Sequence, residues 1–186
     1  AEEENVFHHL SCDQVNKQVI GRHDDVVEVL RLGISKYFDG FVRVRTEAQI
    51  QAGQGNRERN QQRLRSDLFI NTLSFKRHVD VALVNPACKS HQGRELKQPS
   101  AIMERIKFDK YRGAGFDEAL LAPFVLDLTG NFGSPAENLL NELADLIGPA
   151  SSGPAFASFV RRRLSIAVAK GVAKTSFSHF ELMNRK

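Results

Sequence analysis

A chain of 186 residues with 41% hydrophobic and 26% charged residues can bury one core with room for a short appendage, which excludes a disordered, collagenous or coiled-coil protein. The longest apolar stretch, 119–128, is broken by Pro123 and Asp127 and excludes a membrane span. A net charge of +4 leans toward an anionic partner, and two cysteines, Cys12 and Cys88, are too few for a disulfide framework and point to an intracellular setting.

The N-terminus, Ala1-Glu2-Glu3-Glu4, lacks the basic-then-apolar order of a secretory signal and has no initiator Met, so it is expected to be an internal cut from a longer polypeptide. A helix is predicted over 22–38, with Val26, Val27, Val29, Leu30, Leu32, Ile34 and Phe38 on a broad apolar face and Asp24, Asp25 and Glu28 in its early turns. Phe41 to Arg45 alternates like a strand, and 49–62, rich in Gln, Gly and Asn, reads as a loop. Two strand-like runs follow, 67–71 and 78–86, with a turn at 72–75 between them; the second is apolar on both faces except at Asp80, as a central strand would be. Ser100 is placed to cap a helix through about Arg112, and 120–128 is a further strand. Ser134, Pro135 and Glu137 together read as cap, first turn and capping box of the next helix. Residues 148–154 resemble a linker, and 156–173 a basic amphipathic helix. A helix between the third and fourth strands requires a crossover, hence an α/β domain with a parallel or mixed sheet and a C-terminal helical extension.

The basic residues fall in blocks. Arg57, Arg59, Arg63 and Arg65 crowd one stretch, and Arg161, Arg162 and Arg163 another. Such blocks suit phosphate backbones, or are simply solvated faces.

Asp67 and Asp80 carry the chemistry. They lie on neighbouring strands with twelve residues between them, so a hairpin can bring both carboxylates to one end of the sheet. A buried strand position rarely holds an acid without a partner. A divalent cation would neutralise both, and Mg²⁺ prefers few carboxylates plus waters and substrate phosphates. The alternative is a salt bridge from Asp80 to a nearby basic side chain.

Arg65-Ser66-Asp67, twelve residues, then Asp80 resembles the signature of restriction-like endonuclease domains in site-specific non-LTR retrotransposons, within the PD-(D/E)xK nuclease superfamily. His8-His9-Leu10-Ser11-Cys12 followed by Gly21-Arg22-His23-Asp24 resembles the end of that family's zinc knuckle and the entry to its nuclease domain. Val79 to Pro86, Lys107 to Tyr111 and Phe124 to Gly130 are similar to further family blocks, in the same order. The resemblance implies a restriction-endonuclease-like αβββαβ core at 21–148, a zinc-knuckle or linker remnant at 1–20 and a basic helical tail at 149–186. Ser66 stands where the family has Pro, and Ala82 where its strand lysine is expected. The resemblance implies that a helix lysine substitutes, Lys107 first and Lys110 second.

The expected reaction is hydrolysis of a DNA phosphodiester. Asp67, Asp80 and the Val81 carbonyl would hold Mg²⁺ or Mn²⁺, with Glu47 a third carboxylate or a rim charge. His23 would touch a phosphate, orient a carboxylate, or do neither. His8 and Cys12 have the spacing of half a zinc site; either its other ligands lie in a longer protein or the pair binds nothing, and Cys88 reads as a plain thiol. The family context implies a nuclear polyprotein with a reverse transcriptase that extends the nicked strand. The rival readings are a repair or recombination nuclease of the same superfamily, an inactive nucleic-acid-binding module, and an α/β domain whose acids form salt bridges.

Overall fold

The computed structural model describes residues 16–38, 42–49, 64–88, 98–148 and 152–184. In chain order these form α1 (Asn16–Phe38), β1 (Arg43–Gln49), β2 (Arg65–Asn71), β3 (Lys76–Val84), α2 (Gln98–Gly113), a short 3-10 turn (Glu118–Leu120), β4 (Leu121–Asp127), α3 (Ser134–Ile147) and α4 (Ser152–Met183). This is the element order the hydrophobic pattern predicts. The four strands make one sheet in the order β1-β2-β3-β4. β1, β2 and β3 are antiparallel neighbours, whereas β3 and β4 run parallel because α2 carries the chain back between them. The domain is therefore α/β, with a mixed sheet and a C-terminal helix.

Side-chain alternation divides the sheet into two faces. Leu68, Ile70, Val79, Val81, Phe124 and Leu126 belong to the main core with α1, α3 and α4. Ala82, Val84 and Val125 point the other way, against Met103 of α2. Every residue of β4 is buried between these layers. Pro123, which cannot donate to a ladder, is accommodated because β4 is the edge strand of this sheet among the described residues.

Several local expectations change. α1 begins at Asn16, so Asp24, Asp25 and Glu28 lie beyond its first turn, away from the dipole's positive end. The N-cap of α3 is Gly133, not Ser134, and it makes no side-chain cap bond. Glu104 of α2 accepts from the Ser134 N–H instead, and a Cβ on residue 133 would displace the Glu104 carboxylate from this position. Glu137 closes no capping box; its Oε2 accepts from Arg161 Nη2 at 2.7 Å.

The segment expected as a basic tail is built into the core. α4 runs for 32 residues, and Ser152, Gly153 and Pro154 of the expected linker form its first turn. Its stripe of Phe156, Val160, Leu164 and Val168 packs with Val26, Leu30 and Ile34 of α1. The two helices are antiparallel: Phe156 meets Tyr37 and Phe38 at one end, and Gln18 Nε2 donates to Ser178 Oγ at the other. Gly33 permits this approach, because a Cβ there would lie 2.7 Å from Val160 Cγ2. Phe156 is fully buried with two ring partners. Phe156→Ala should cost about 3–5 kcal/mol in urea unfolding; a loss below about 1 kcal/mol would mean that α4 is not part of this core.

Candidate active site

The β2–β3 ladder stops at Leu68–Val79, and its next step would set Asp67 against Asp80. The ladder is replaced there by a side chain: Asp67 Oδ2 accepts from the Val81 N–H at 2.6 Å. That bond fixes the carboxylate at the end of the sheet. His23 of α1 approaches the same oxygen, with Nε2 at 3.4 Å, while its Nδ1 lies 3.2 Å from Asp24 Oδ1. His23 thus orients a carboxylate.

Asp80 is nearly enclosed, with 8% of its side chain exposed. Lys107, reaching down from α2, places Nζ 2.6 Å from Asp80 Oδ1 and 3.4 Å from the Val81 carbonyl oxygen. Lys110, the other lysine expected here, is exposed on α2 with Nζ over the Tyr111 ring at 5.3 Å. The two lysines are three residues apart, and only Lys107 shares the inward face with Tyr111 at i+4. Tyr111 was not foreseen as a site residue, although that spacing signals it. It is fully buried and its hydroxyl donates to the Arg65 carbonyl at 3.0 Å, tying α2 to β2 two residues before Asp67.

Glu47 stands opposite Asp67 in the β1–β2 register, in the left-handed backbone region with φ 49°. That conformation costs a non-glycine residue roughly 1–2 kcal/mol. Its side chain is 77% exposed and Oε2 accepts from Arg65 Nη1 at 3.3 Å, so Glu47 sits on the rim. Arg65 is the one member of the first arginine block within the described residues. Arg57, Arg59 and Arg63 lie outside them, as do His8 and Cys12. Of the second block, Arg161 is held by Glu137 and Asn141 of α3, Arg163 lies over Phe159, and Arg162 is exposed. These three sit on α4, which packs on the sheet face opposite α2, so that block and the acid pair do not form one surface.

Two observations bear on a divalent cation. Among the described residues, no three His, Cys, Asp or Glu side chains converge as a ligand group. The donor set is smaller: Asp67, Asp80 and the Val81 carbonyl. Within it, Asp80 Oδ2 is buried and has no hydrogen-bond partner among the described residues. A buried carboxylate oxygen without a donor is costly, and a cation would satisfy it. Lys107 already neutralises part of that charge at the other oxygen. The residues fit a cation that is also ligated by water and phosphate, as Mg²⁺ prefers, and do not form a closed protein cage.

The hydrogen bond to Asp67 raises His23 to about 8, against the opposing effect of burial. Burial pushes Asp67 upward, but the His23 and Val81 bonds outweigh it and leave the carboxyl below its usual range. Burial, reinforced by the Asp80 charge, holds the Tyr111 phenol far above the usual range, so it remains a donor. The stability contributed by charged His23 should therefore be complete below its ordinary pKa of 6.5 and lost as pH rises through about 8. The Asp67 contribution is lost at the acid end, as pH falls through its lowered pKa. NMR titration should place the His23 midpoint near 8 and move it toward 6.5 in Asp67→Asn; an unmoved midpoint would disprove the pairing.

No protein-family model and no curated protein matches this chain.

Proposed function

We propose that this chain is a metal-dependent DNA endonuclease domain with a restriction-endonuclease-like core, nicking target DNA by phosphodiester hydrolysis. The observation that carries the reading is Asp80: a buried carboxylate beside Asp67, with one oxygen on Lys107 and the other without a hydrogen-bond partner among the described residues. Strand acids plus a lysine are the parts such chemistry needs, and here the lysine comes from α2 while Ala82 packs against the helix.

Asp67, Asp80 and the Val81 carbonyl would hold Mg²⁺ or Mn²⁺, which when bound lowers the pKa of a water and neutralises charge on the reacting phosphate. The protein's own groups do the rest. Val81 N–H and His23 hold Asp67 in place and ionised. Lys107 presents a fixed positive charge at the acid pair, where it stabilises the negative charge that builds on the phosphate. His23, protonated at neutral pH, adds a second cation at the mouth. Tyr111 holds the β2 backbone next to Asp67 through the Arg65 carbonyl. By the family resemblance, the protein is nuclear, and the released 3′-OH would prime reverse transcription by a polymerase domain outside this chain. A repair or recombination nuclease would use the same geometry.

One observation favours a second reading. Lys107 bonds both Asp80 and the Val81 carbonyl, two of the three donors a cation would need. In an inactive DNA-binding module this ion pair would be purely structural. The salt-bridge reading without nucleic acid shares the pair but leaves the second Asp80 oxygen without a role.

Plasmid nicking in Mg²⁺ or Mn²⁺ separates these. The parent chain should nick, and Asp80→Ala and Lys107→Ala should each lose about a hundredfold or more, with circular dichroism confirming the fold. Lys110→Ala should retain most activity. Undiminished nicking by Asp80→Ala removes the mechanism, and no nicking by a folded parent chain favours the binding module.

A further inference from the structure

A row of side chains beside the acid pair has no part in the chemistry above. The sheet register sets Arg45 opposite Phe69 and Phe69 opposite His78. Residues paired in this way share a face. The Phe69 ring stacks on His78 with centroids 4.4 Å apart, and Phe116 closes on His78 edge-first at 5.2 Å. Ser66 Oγ, 2.9 Å from His78 Nδ1, fixes the imidazole orientation. Together with Thr46, Glu47 and Ala48 these residues line a groove of about 540 Å³, open at the surface. That volume is within the range of small-ligand sites.

Position and charge identify the occupant. Thr46 and Glu47 also line the pocket in front of His23 and Asp67, so the groove shares a rim with the Asp67 side of the candidate active site. Phe69 and His78 are each two residues from Asp67 and Asp80, roughly 6.5 Å along their strands. A base next to a phosphate held at the acids would fall within that reach. On the far side, the following row places Arg43 opposite Asn71 and Asn71 opposite Lys76, and Arg43, Arg45 and Lys76 are all exposed. The groove thus has an aromatic floor, the acid site at one end and cations at the other. Aromatic faces between cations bind single strands by stacking, with little regard to sequence. A paired base cannot offer its face without leaving the helix.

We infer that the groove of Arg45, Phe69, His78 and Phe116 is a subsite for an unpaired nucleobase of the DNA strand cut at Asp67 and Asp80. It rests on the nuclease reading for what the acids hold, and it narrows the substrate to DNA that is single-stranded or locally melted beside the cut. Phe69 and Phe116 are the stacking residues, and Arg45 is the cation next to them.

The chain contains no tryptophan, so Phe69→Trp installs a single reporter that keeps an aromatic ring in place. Single-stranded oligothymidylate of about a dozen nucleotides, a length within single-strand site sizes, is added in EDTA, where nothing is cut. Tryptophan emission should be quenched on binding, and a duplex of the same length should bind without quenching. By polarisation of labelled oligonucleotide, Phe69→Ala and Phe116→Ala should each weaken binding about tenfold, while Phe69→Trp keeps the parent affinity. If Phe69→Ala does not fold, Phe116→Ala and the tryptophan reporter still decide. Unquenched emission at saturation, or alanine variants that bind as the parent does, overturns the subsite. Nicking is scored separately. Ring-dependent binding without nicking supports the subsite and removes the nuclease reading; nicking with ring-independent binding does the reverse.

Discussion

The contact between Asp80 and Lys107 organises this domain, because it is where the cost of burying a charge is met. A carboxylate enclosed between a central strand and a helix cannot remain unpaired, and breaking such a pair by removing one partner typically costs about 3–5 kcal/mol. The lysine comes from α2, so the pair also fixes how that helix seats on β3 and β4. From this follow the inward face of α2, the burial of Tyr111 and its bond to the Arg65 carbonyl. Asp67, the other acid, is held separately, by the Val81 N–H and by His23. The same contact can thus serve architecture and chemistry at once.

The sequence made the framework legible and left the side-chain choices open. Element order could be read because each periodic stretch is bounded by strong breakers such as Pro86, Gly113 and Gly130. The acid pair could be read because an aspartate in an otherwise apolar strand conflicts with burial and calls for a partner. What could not be read was helical phase. Lys107 and Lys110 are both followed by aromatic or basic neighbours, and only docking against β3 shows which points inward.

Capping and helix membership were misread for a related reason. Ser134 and Glu137 form a good local capping pattern, but Glu104 from another helix and Arg161 from a third compete for the same groups, and tertiary partners won. For α4, three consecutive arginines dominate the local impression, whereas its buried stripe uses small residues, Ala157, Ala167 and Gly171, as well as large ones. Small residues carry little hydrophobic signal but allow close helix approach. The aromatic groove was invisible because Phe69 and His78 meet only through strand register and Phe116 joins them from the connection after α2.

The pairing of α1 with α4 has a consequence for how the chain reaches this state. Gln18 and Ser178 are bonded although 160 positions apart in sequence. Every element of the sheet lies between them, so the apolar stripe of α1 can meet the sheet earlier but lacks its α4 partner until the last helix has been synthesised. Closing so large a loop carries an entropic cost before any contact rewards it. The sheet and α2 can assemble from nearer neighbours, which makes the α1–α4 zipper the natural closing event of folding. Until it closes, Val26, Leu30 and Ile34 lack the cover that α4 gives them, and that is the interval in which this domain is most open to aggregation.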